Sequence, residues 1–542
     1  MAAADDMEDD WGDEEEAGAG VEAVKLDVEI MLDAEVEGEG SEVNAMVRIK
    51  VPESLNPDSK LMRTVSGTMQ RAAIDVCCVI DISASMSNYA KYDGDDGKPK
   101  HDGLTYLDVV KHSIKAVINM LKAQDRLTMV AFDDRADVIF ELAEMTPEGK
   151  EKAFAALELI YPRDETDIWL GLHTGLEALR KPHADKGWRQ KAVLLLTDGV
   201  PNVTPPKGHI PELKAYKESH PDFSFQLNTF GFGYKLDSPL LLDLAVEGNG
   251  TFAFIPDALI VGTTFVNSLC NSLSTQTQNA VLHLTPKGRG EITGYVIGVG
   301  EDMVADASWG RVVSLGPLQF GQSRELVLPM KIPSGDEPYL QATVVFPGPD
   351  GREARAEGLG TSRSGSVDAK IAVCRSKMVD VGYSAAKIFA TANDNLARLK
   401  TEMTAAFPNA EEAPPNFQAV HTDVNGRMTK ALDGVDRFNR WGRHYILSLV
   451  RAHQLQLCIN FMDPGLQGYG GQLFKSLRDE GDAVFIGMPP PVHSDPRDGE
   501  RATRYAATPA RAPAPAAAAG AAAAPAAAAP APTVYYGGGG GG

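Results

Sequence analysis

Two short, almost uninterrupted apolar segments constrain the fold of this chain more than any other feature. Ile74–Ile80 and Ala192–Leu196 lack the polar alternation of a strand with one solvent-facing side, so each strand should be covered on both faces. Around them, Leu104–Leu121 and Ile168–Arg180 carry apolar residues at every third or fourth position, which predicts helices. This alternation predicts an α/β domain with a doubly wound, mostly parallel sheet.

The segments on either side of the α/β region repeat with a period of two instead. Apolar residues alternate with polar ones over 26–32 and 45–51, and again over 326–332 and 340–346, which predicts half-buried antiparallel strands. We therefore expect a small β-sandwich after the α/β region, completed by the strands before it. The α/β domain would then be inserted in, or flanked by, that sandwich.

Composition and charge exclude several classes of protein. The net charge of −22 argues against a nucleic-acid partner and against an anionic membrane surface, because both need clustered lysine and arginine. The sequence contains no apolar stretch of roughly 18 residues, the length needed to span a membrane. Met1–Ala23 lacks the basic start and apolar core of a secretory signal. The cysteines form no C-x-x-C pair, which excludes a zinc ribbon or RING finger. A cytoplasmic protein is expected.

Carboxylates and hydroxyls follow both buried strands. Asp81, Ser83 and Ser85 form a D-x-S-x-S pattern after the first, Asp198 follows the second, and Thr166 precedes the helix that begins at Ile168. In such sheets ligands bind beyond the carboxyl ends of the strands. Hard oxygen donors suit Mg²⁺, or Mn²⁺ or Ca²⁺, and these residues supply too few oxygens to fill its shell. The pattern predicts a divalent-metal site whose open position a partner's Asp or Glu can occupy.

In this order and spacing, Asp81, Ser83, Ser85, Thr166 and Asp198 resemble the metal-ion-dependent adhesion site of von Willebrand factor type A (VWA) domains. The resemblance implies that the two serines ligate the metal directly and that the aspartates act directly or through water. It also implies that the threonine joins or leaves the shell as the affinity changes.

The flanking segments resemble the cytoplasmic VWA proteins of plants and protists, some of which carry a RING or U-box module that is not found here. The residues that carry this resemblance are Leu107–His112, Asp125–Leu127, Asn460–Gln467 and Tyr469–Phe474. The C-terminal helical region is similar to the segment known as Vwaint. The predicted division is 1–23 as a disordered acidic tail, 24–70 as strands of the sandwich, 71–276 as the VWA domain, 277–366 as the β-sandwich, 367–490 as a helical Vwaint-like domain and 491–542 as a disordered Ala/Pro/Gly tail.

The predicted function is that of an intracellular, divalent-metal-dependent protein-binding module or scaffold that captures a partner carboxylate. The alternative, a non-catalytic subunit of a ubiquitin-ligase-type complex, rests on the resemblance alone. A hydrolase using the ion as a Lewis acid would need a general base, for which Glu165 is the only candidate. Because no G-x-S-x-G, H-E-x-x-H or Walker motif occurs, no enzyme is expected.

Three acidic features near the predicted metal site have separate interpretations. Asp164-Glu165 stands where many relatives have glycines, and its carboxylates could strengthen metal binding or repel an acidic partner. Asp167 is predicted to be the N-cap of the following helix. The Asp93–Gly97 loop lacks the spacing of an EF-hand and is predicted to be a solvated loop.

Overall fold

The computed structural model describes residues 25–53, 71–93, 99–101, 103–181, 189–256, 260–348, 352–386, 393–407 and 414–491. The predicted acidic tail, nearly all of the Ala/Pro/Gly tail and most of the Asp93–Gly97 loop lie outside these residues.

The described residues contain strands and helices in the following order. The strands are β1 (Asp27–Leu32), β2 (Ser41–Lys50), β3 (Ile74–Asp81), β4 (Tyr92–Asp93), β5 (Pro99–Lys100), β6 (Arg126–Phe132), β7 (Ala136–Glu144), β8 (Gln190–Thr197), β9 (Gln226–Phe232), β10 (Phe252–Ile255), β11 (Thr275–Pro286), β12 (Glu291–Ile292), β13 (Val304–Ala307), β14 (Gly310–Gln319), β15 (Ser323–Ile332), β16 (Leu340–Pro347) and β17 (Glu353–Gly360). The helices are α1 (Tyr106–Met120), α2 (Pro147–Glu158), α3 (Ile168–Arg180), α4 (His209–Ser219), α5 (Ser238–Glu247), α6 (Val261–Leu273), α7 (Val367–Ala386), α8 (Asn393–Ala405), α9 (Pro415–Asp423), α10 (Thr429–Ala431), α11 (Val435–Arg437), α12 (Arg443–Leu455) and α13 (Gln472–Gly487), with π-helical turns at Val424–Met428 and Phe438–Gly442.

The α/β region contains a six-stranded sheet with the order β10-β9-β8-β3-β6-β7. All neighbours in this sheet are parallel except β7, which runs antiparallel to β6. From β3 the chain first crosses to β6 on one side and later returns to β8 on the other. The strand order therefore reverses beside β3, where ligand crevices open in doubly wound sheets. The prediction of a mostly parallel, doubly wound α/β fold is confirmed.

Helix α3 packs closely against the centre of this sheet. Asp167 is its N-cap, accepting a hydrogen bond from the Leu170 amide at 3.0 Å, so that prediction is confirmed. Its glycines allow the close approach: a Cβ at Gly171 would lie 2.4 Å from the Phe132 ring, and one at Gly175 would lie 2.7 Å from Val79 Cγ2. This packing fixes the loop before α3, which carries Thr166.

Two antiparallel sheets are built from strands before and after the α/β region. A four-stranded sheet has the order β1-β2-β15-β12, and a five-stranded sheet has the order β13-β14-β11-β16-β17. Strand β2 pairs with β15 along its whole length, from Ser41 opposite Ile332 to Lys50 opposite Ser323. The two sheets bury one hydrophobic core between them, with Val47, Leu282 and Leu328 among its members.

Some element boundaries differ from the sequence prediction. Helix α4 was not predicted. Helix α2, for which the sequence pattern predicts the bounds Lys150–Ile160, begins at Pro147 instead, because the Thr146 hydroxyl caps it by accepting from the Gly149 amide at 3.2 Å. Helix α1 begins at Tyr106 rather than Leu104, because Thr105 and Asp108 form a capping box. None of the helices among the described residues has the length and apolar character needed to cross a membrane.

Candidate metal centre

Two adjacent strands bring the aspartates of the predicted metal site to one edge of the sheet. Asp81 is the last residue of β3, and Asp198 directly follows β8, its parallel neighbour. The register places Ile80 opposite Leu196, so the next residues, Asp81 and Thr197, are also neighbours. Thr197 donates from Oγ1 to Asp81 Oδ2 at 2.5 Å.

Hydrogen bonds connect four of the five predicted residues. The Ser83 amide donates to Asp81 Oδ1 at 2.8 Å, Ser83 Oγ lies 3.0 Å from Ser85 Oγ, and Ser85 Oγ donates to Asp198 Oδ1 at 2.7 Å. Asp81, Ser83 and Asp198 are buried, whereas Ser85 is half-buried. The structure therefore gathers two carboxylates and two hydroxyls into one network that reaches the surface at Ser85.

Thr166, the fifth predicted residue, lies on the other side of Gly199. A Cβ at Gly199 would stand 3.7 Å from Ser85 Oγ and 3.8 Å from Thr166 Oγ1, so both hydroxyls border the same small space. The Thr166 amide donates to Asn202 Oδ1 at 2.7 Å, and the Ala84 amide donates to the Asp164 carbonyl at 3.1 Å. These bonds tie the loop before α3 to the loops after β3 and β8.

The electrostatics of the two aspartates suit a bound cation. Burial raises the pKa of Asp81 to about 6, although hydrogen bonds from Thr197 and Ser83 oppose the rise. Burial also raises the pKa of Asp198 to about 7, and the neighbouring Asp81 carboxylate adds to this rise. Within the described residues, hydrogen bonds to these carboxylates come from hydroxyls and backbone amides rather than from lysine or arginine. A cation would supply the missing positive charge.

The chemistry of the donor set also agrees with a hard divalent ion. No group of three or more His, Cys, Asp or Glu side chains in the described part of the chain is arranged to hold a metal, so a zinc-type or carboxylate-rich site has no support there. The centre offers two carboxylates and three hydroxyls instead. Such oxygens fit Mg²⁺, which keeps several waters when protein ligands are few.

Two further residues of the centre were missed from the sequence. Thr197 orients Asp81, and the buried Asp133, which directly follows β6, raises the pKa of Asp81 through its charge. Asp133 Oδ1 accepts a hydrogen bond from the Arg135 amide at 2.9 Å. The position of Asp133 could have identified it, because it directly follows a strand as Asp198 follows β8. Asp164 and Glu165 are exposed at the rim.

An open, mostly parallel sheet with this oxygen cluster at the carboxyl end of its central strand defines a VWA-type domain. Residues 76–200 match the von Willebrand factor type A domain family, and residues 415–483 match the family described as VWA / Hh protein intein-like, or Vwaint. The chain therefore contains a VWA domain, and VWA domains are protein-interaction modules that often depend on a metal.

Two curated relatives and one solved structure illustrate the similarity. An uncharacterized protein of Synechocystis is 27% identical over 265 residues, or 48% of this chain and 57% of that protein. Rat inter-alpha-trypsin inhibitor heavy chain H3 is 26% identical over 223 residues, or 39% of this chain and 23% of that protein. A von Willebrand factor type A structure from Catenulispora acidiphila aligns with a TM-score of 0.56 at 15% identity, covering 80% of this chain and 97% of that one.

Proposed function

We propose that this protein is a divalent-metal-dependent interaction module that captures a carboxylate of a protein partner through an ion held at the VWA centre. The observation that carries the proposal is the connected set of Asp81, Ser83, Ser85 and Asp198 beside Thr166 Oγ1. Ser83 and Ser85 would bind Mg²⁺ directly, and the aspartates would bind it directly or through water. An Asp or Glu of the partner would complete the shell.

Burial and charge support this role for the centre. The buried Asp81 and the half-buried Ser85 span the depth of the crevice, so an ion seated among them could still present one coordination position outward. The exposed Asp164 and Glu165 at the rim add negative charge, which would favour the ion and would select a partner whose acidic residue is accompanied by basic ones.

The wider setting forms part of the same proposal. The two antiparallel sheets would act as a β-sandwich and the helices after β17 as a helical domain, and together they would carry the VWA module. All five cysteines are unpaired thiols, which supports a reducing compartment such as the cytosol. The proposal assigns no catalytic step to the centre. The role of ubiquitin-ligase subunit remains an alternative that rests on resemblance alone.

Matched serine variants test the proposal. Ser85 Oγ belongs to the network, whereas Ser87, in the same loop, is exposed and donates to the Ala84 carbonyl at 2.7 Å. Titration of the full chain should show that Ser85→Ala weakens Mg²⁺ binding by roughly 100-fold, the loss of a ligand being at least as costly as that of its supporting groups. Ser87→Ala should bind like the natural protein. If the natural protein, Ser85→Ala and Ser87→Ala bind Mg²⁺ equally, the proposed metal site is wrong.

Capture of partner proteins tests whether the metal binds a carboxylate of the partner. Proteins retained from a cell extract in Mg²⁺ should be lost when EDTA is added, and Ser85→Ala should fail to retain them while Ser87→Ala succeeds. Replacing the acidic residues of a captured partner by their amides should abolish binding. If EDTA leaves every partner bound, capture through the metal is wrong.

A further inference from the structure

A small cavity lies where the four-stranded sheet meets α7 and α12. Its volume is about 20 Å³, and a cavity needs on the order of 10–15 Å³ to hold one water. Arg324 and Glu325 of β15, Arg375 of α7, and His453 and Gln454 of α12 are among the residues that line it. The space therefore admits one or two small species and excludes organic ligands and polyatomic oxyanions such as phosphate.

The two arginines in this cavity present buried N–H groups that lack acceptors. Arg324 is 3% exposed, and its Nη2 donates to the Leu315 carbonyl at 3.4 Å. Its Nε and Nη1 have no hydrogen-bond acceptor among the described residues. Arg375 donates from Nη1 to Glu325 Oε2 at 2.8 Å; its Nη2 has no acceptor with hydrogen-bond geometry in the same part of the chain, although the Tyr469 hydroxyl lies near this guanidinium. Unsatisfied charged donors in a protein interior are costly, which indicates a missing partner.

The surroundings also contain more positive than negative charge. Glu325 is shared between Arg375 and Arg48, and Arg48 also pairs with Asp368 at 2.9 Å. Arg451 is fully buried near Arg324, and it donates to neutral groups, the Gly250 carbonyl at 2.9 Å and Gln454 Oε1 at 2.5 Å. The four arginines of this group thus face two carboxylates, with Asp380, which accepts from the Gly298 amide of the cavity wall at 2.9 Å, as a third one nearby.

Neighbouring titratable groups do not restore the balance. Burial lowers the pKa of His453 to about 3, so its ring is neutral. Asp423, whose Oδ2 lies 3.7 Å from His453 Nε2, has its pKa raised by burial to about 7 and is only partly charged at neutral pH. A water molecule could accept the N–H groups, but it would leave the excess charge in place.

We propose that this cavity binds a small monovalent inorganic anion with the size and charge of chloride, held by Arg324 and Arg375. The anion accepts the unsatisfied N–H groups and offsets charge that the carboxylates do not cover. It joins β15 to α7 and α12, and Arg451 of α12 extends the connection to Gly250 in the VWA domain. Bound chloride therefore stabilises the packing of the sheets against the helices.

Thermal unfolding of the full chain tests the anion through two variants. Sodium chloride is compared with sodium gluconate at equal ionic strength, because gluconate is too large for the cavity. The natural protein should gain a saturable rise of several degrees in chloride, and Arg324→Met should lack this rise. Arg355→Met, which removes an arginine with 64% side-chain exposure, should keep it. In gluconate, Arg324→Met should unfold at or above the temperature of the natural protein, because an uncompensated buried charge has gone.

Two results would overturn the proposal. One is an equal chloride response in the natural protein and Arg324→Met; the other is no response in the exhaustively dialysed natural protein. If Arg324→Met does not fold, crystals of the natural protein grown in bromide decide the question. An anomalous peak beside Arg324 Nε and Nη1 supports the anion, and density without an anomalous peak shows that water occupies the cavity.

Discussion

Asp133 places a third buried carboxylate beside the two that we propose as metal ligands. We expect Asp133→Asn to weaken Mg²⁺ binding by about 10-fold, as is usual for a group that supports a metal ligand without binding the metal. An asparagine oxygen can still accept from the Arg135 amide, so the loop should keep its shape. Calorimetric titration with Mg²⁺ measures the change.

The adjacent Asp134 gives the matched control for this prediction. Its side chain is 48% exposed and pairs with Arg135 at 3.6 Å, so Asp134→Asn removes the same charge one residue away from the buried position. Asp134→Asn should bind Mg²⁺ almost as the natural protein does. Equal losses in the two variants would show that overall charge, rather than the position of Asp133, is responsible.

The raised pKa values at the centre predict that metal binding depends on pH. Without metal, burial raises the pKa of Asp81 to about 6 and the pKa of Asp198 to about 7. Protons therefore compete with Mg²⁺ below neutral pH, and the apparent affinity should fall by roughly tenfold per pH unit for each proton that binding must release. Above about pH 8 the affinity should level off. Titrations in buffers of different ionisation enthalpy would count the released protons, and a flat profile from pH 5 to 8 would contradict the assignment.

At the residue scale, the sequence identified the donors but not the geometry that orients them. Asp81, Ser83 and Ser85 are close in the chain, so their proximity is almost guaranteed. Thr197 contributes because the parallel register of β3 and β8 places it opposite Asp81. Registers between distant strands are set by packing of the whole sheet, and a single sequence does not encode them in a local pattern.

At the scale of elements, α7 is held to the loop before β13 by the half-buried carboxylate of Asp380. Asp380 accepts hydrogen bonds from the Gly298 amide at 2.9 Å and the Tyr295 hydroxyl at 3.2 Å. Burial raises the pKa of Asp380 to about 6. The two hydrogen bonds favour the charged form but do not offset the burial, so the folded protein binds this proton more tightly than the unfolded chain does and burial of Asp380 costs least when it is protonated.

This pKa shift predicts the sign of a pH effect on stability. The contribution of Asp380 should be complete below about pH 4 and should decline as the pH rises through about 6. Relative to Asp380→Asn, the free energy of unfolding of the natural protein should thus fall by about 1 to 2 kcal/mol between pH 4 and 7, with allowance for partial exposure. Urea unfolding of both proteins at each pH measures the difference, and a difference that grows in favour of the natural protein would refute the assignment.

Helices with strong end signals were the elements best predicted from the sequence. Helix α3 has the predicted bounds, because Asp167 marks its start and its apolar stripe is regular. Helix α4 escaped prediction: Gly208 and Pro211 interrupt its beginning, and its buried residues are few and include His209. Its stability comes from packing against α5 and from the bond of Lys217 to the Glu247 carbonyl at 2.6 Å, which are contacts that local propensity does not reveal.

At the scale of the whole molecule, α6 connects the VWA domain to the elements on both sides of it. Asn271 of α6 is 3% exposed; its Nδ2 donates to the Cys458 carbonyl at 2.9 Å, and its Oδ1 accepts from Gln319 Nε2 at 3.0 Å. Gln319 ends β14, and Cys458 follows α12. Near the beginning of α6, a Cβ at Gly262 would lie 2.1 Å from the Phe485 ring of α13. The VWA domain thus packs directly against the elements on both sides of it. The period-two pattern of the flanking strands does not predict this packing.

This packing predicts that the three regions unfold together. Asn271→Ala leaves the Cys458 carbonyl without its donor and removes one acceptor of Gln319, so we expect the free energy of unfolding to fall by about 2 to 3 kcal/mol. Asn267, one turn earlier in α6, is 2% exposed, and its Oδ1 has no partner among the described residues. Asn267→Ala should therefore lower the free energy of unfolding by less than about 1 kcal/mol, because fewer bonds are lost and alanine favours the helix.

Unfolding in urea tests whether the regions unfold together. The fluorescence of the VWA domain and that of the helical region should change in a single transition, and Asn271→Ala should shift this transition as a whole. Separate transitions for the two probes would mean that the contacts at Asn271 hold the domains in place without coupling their stability.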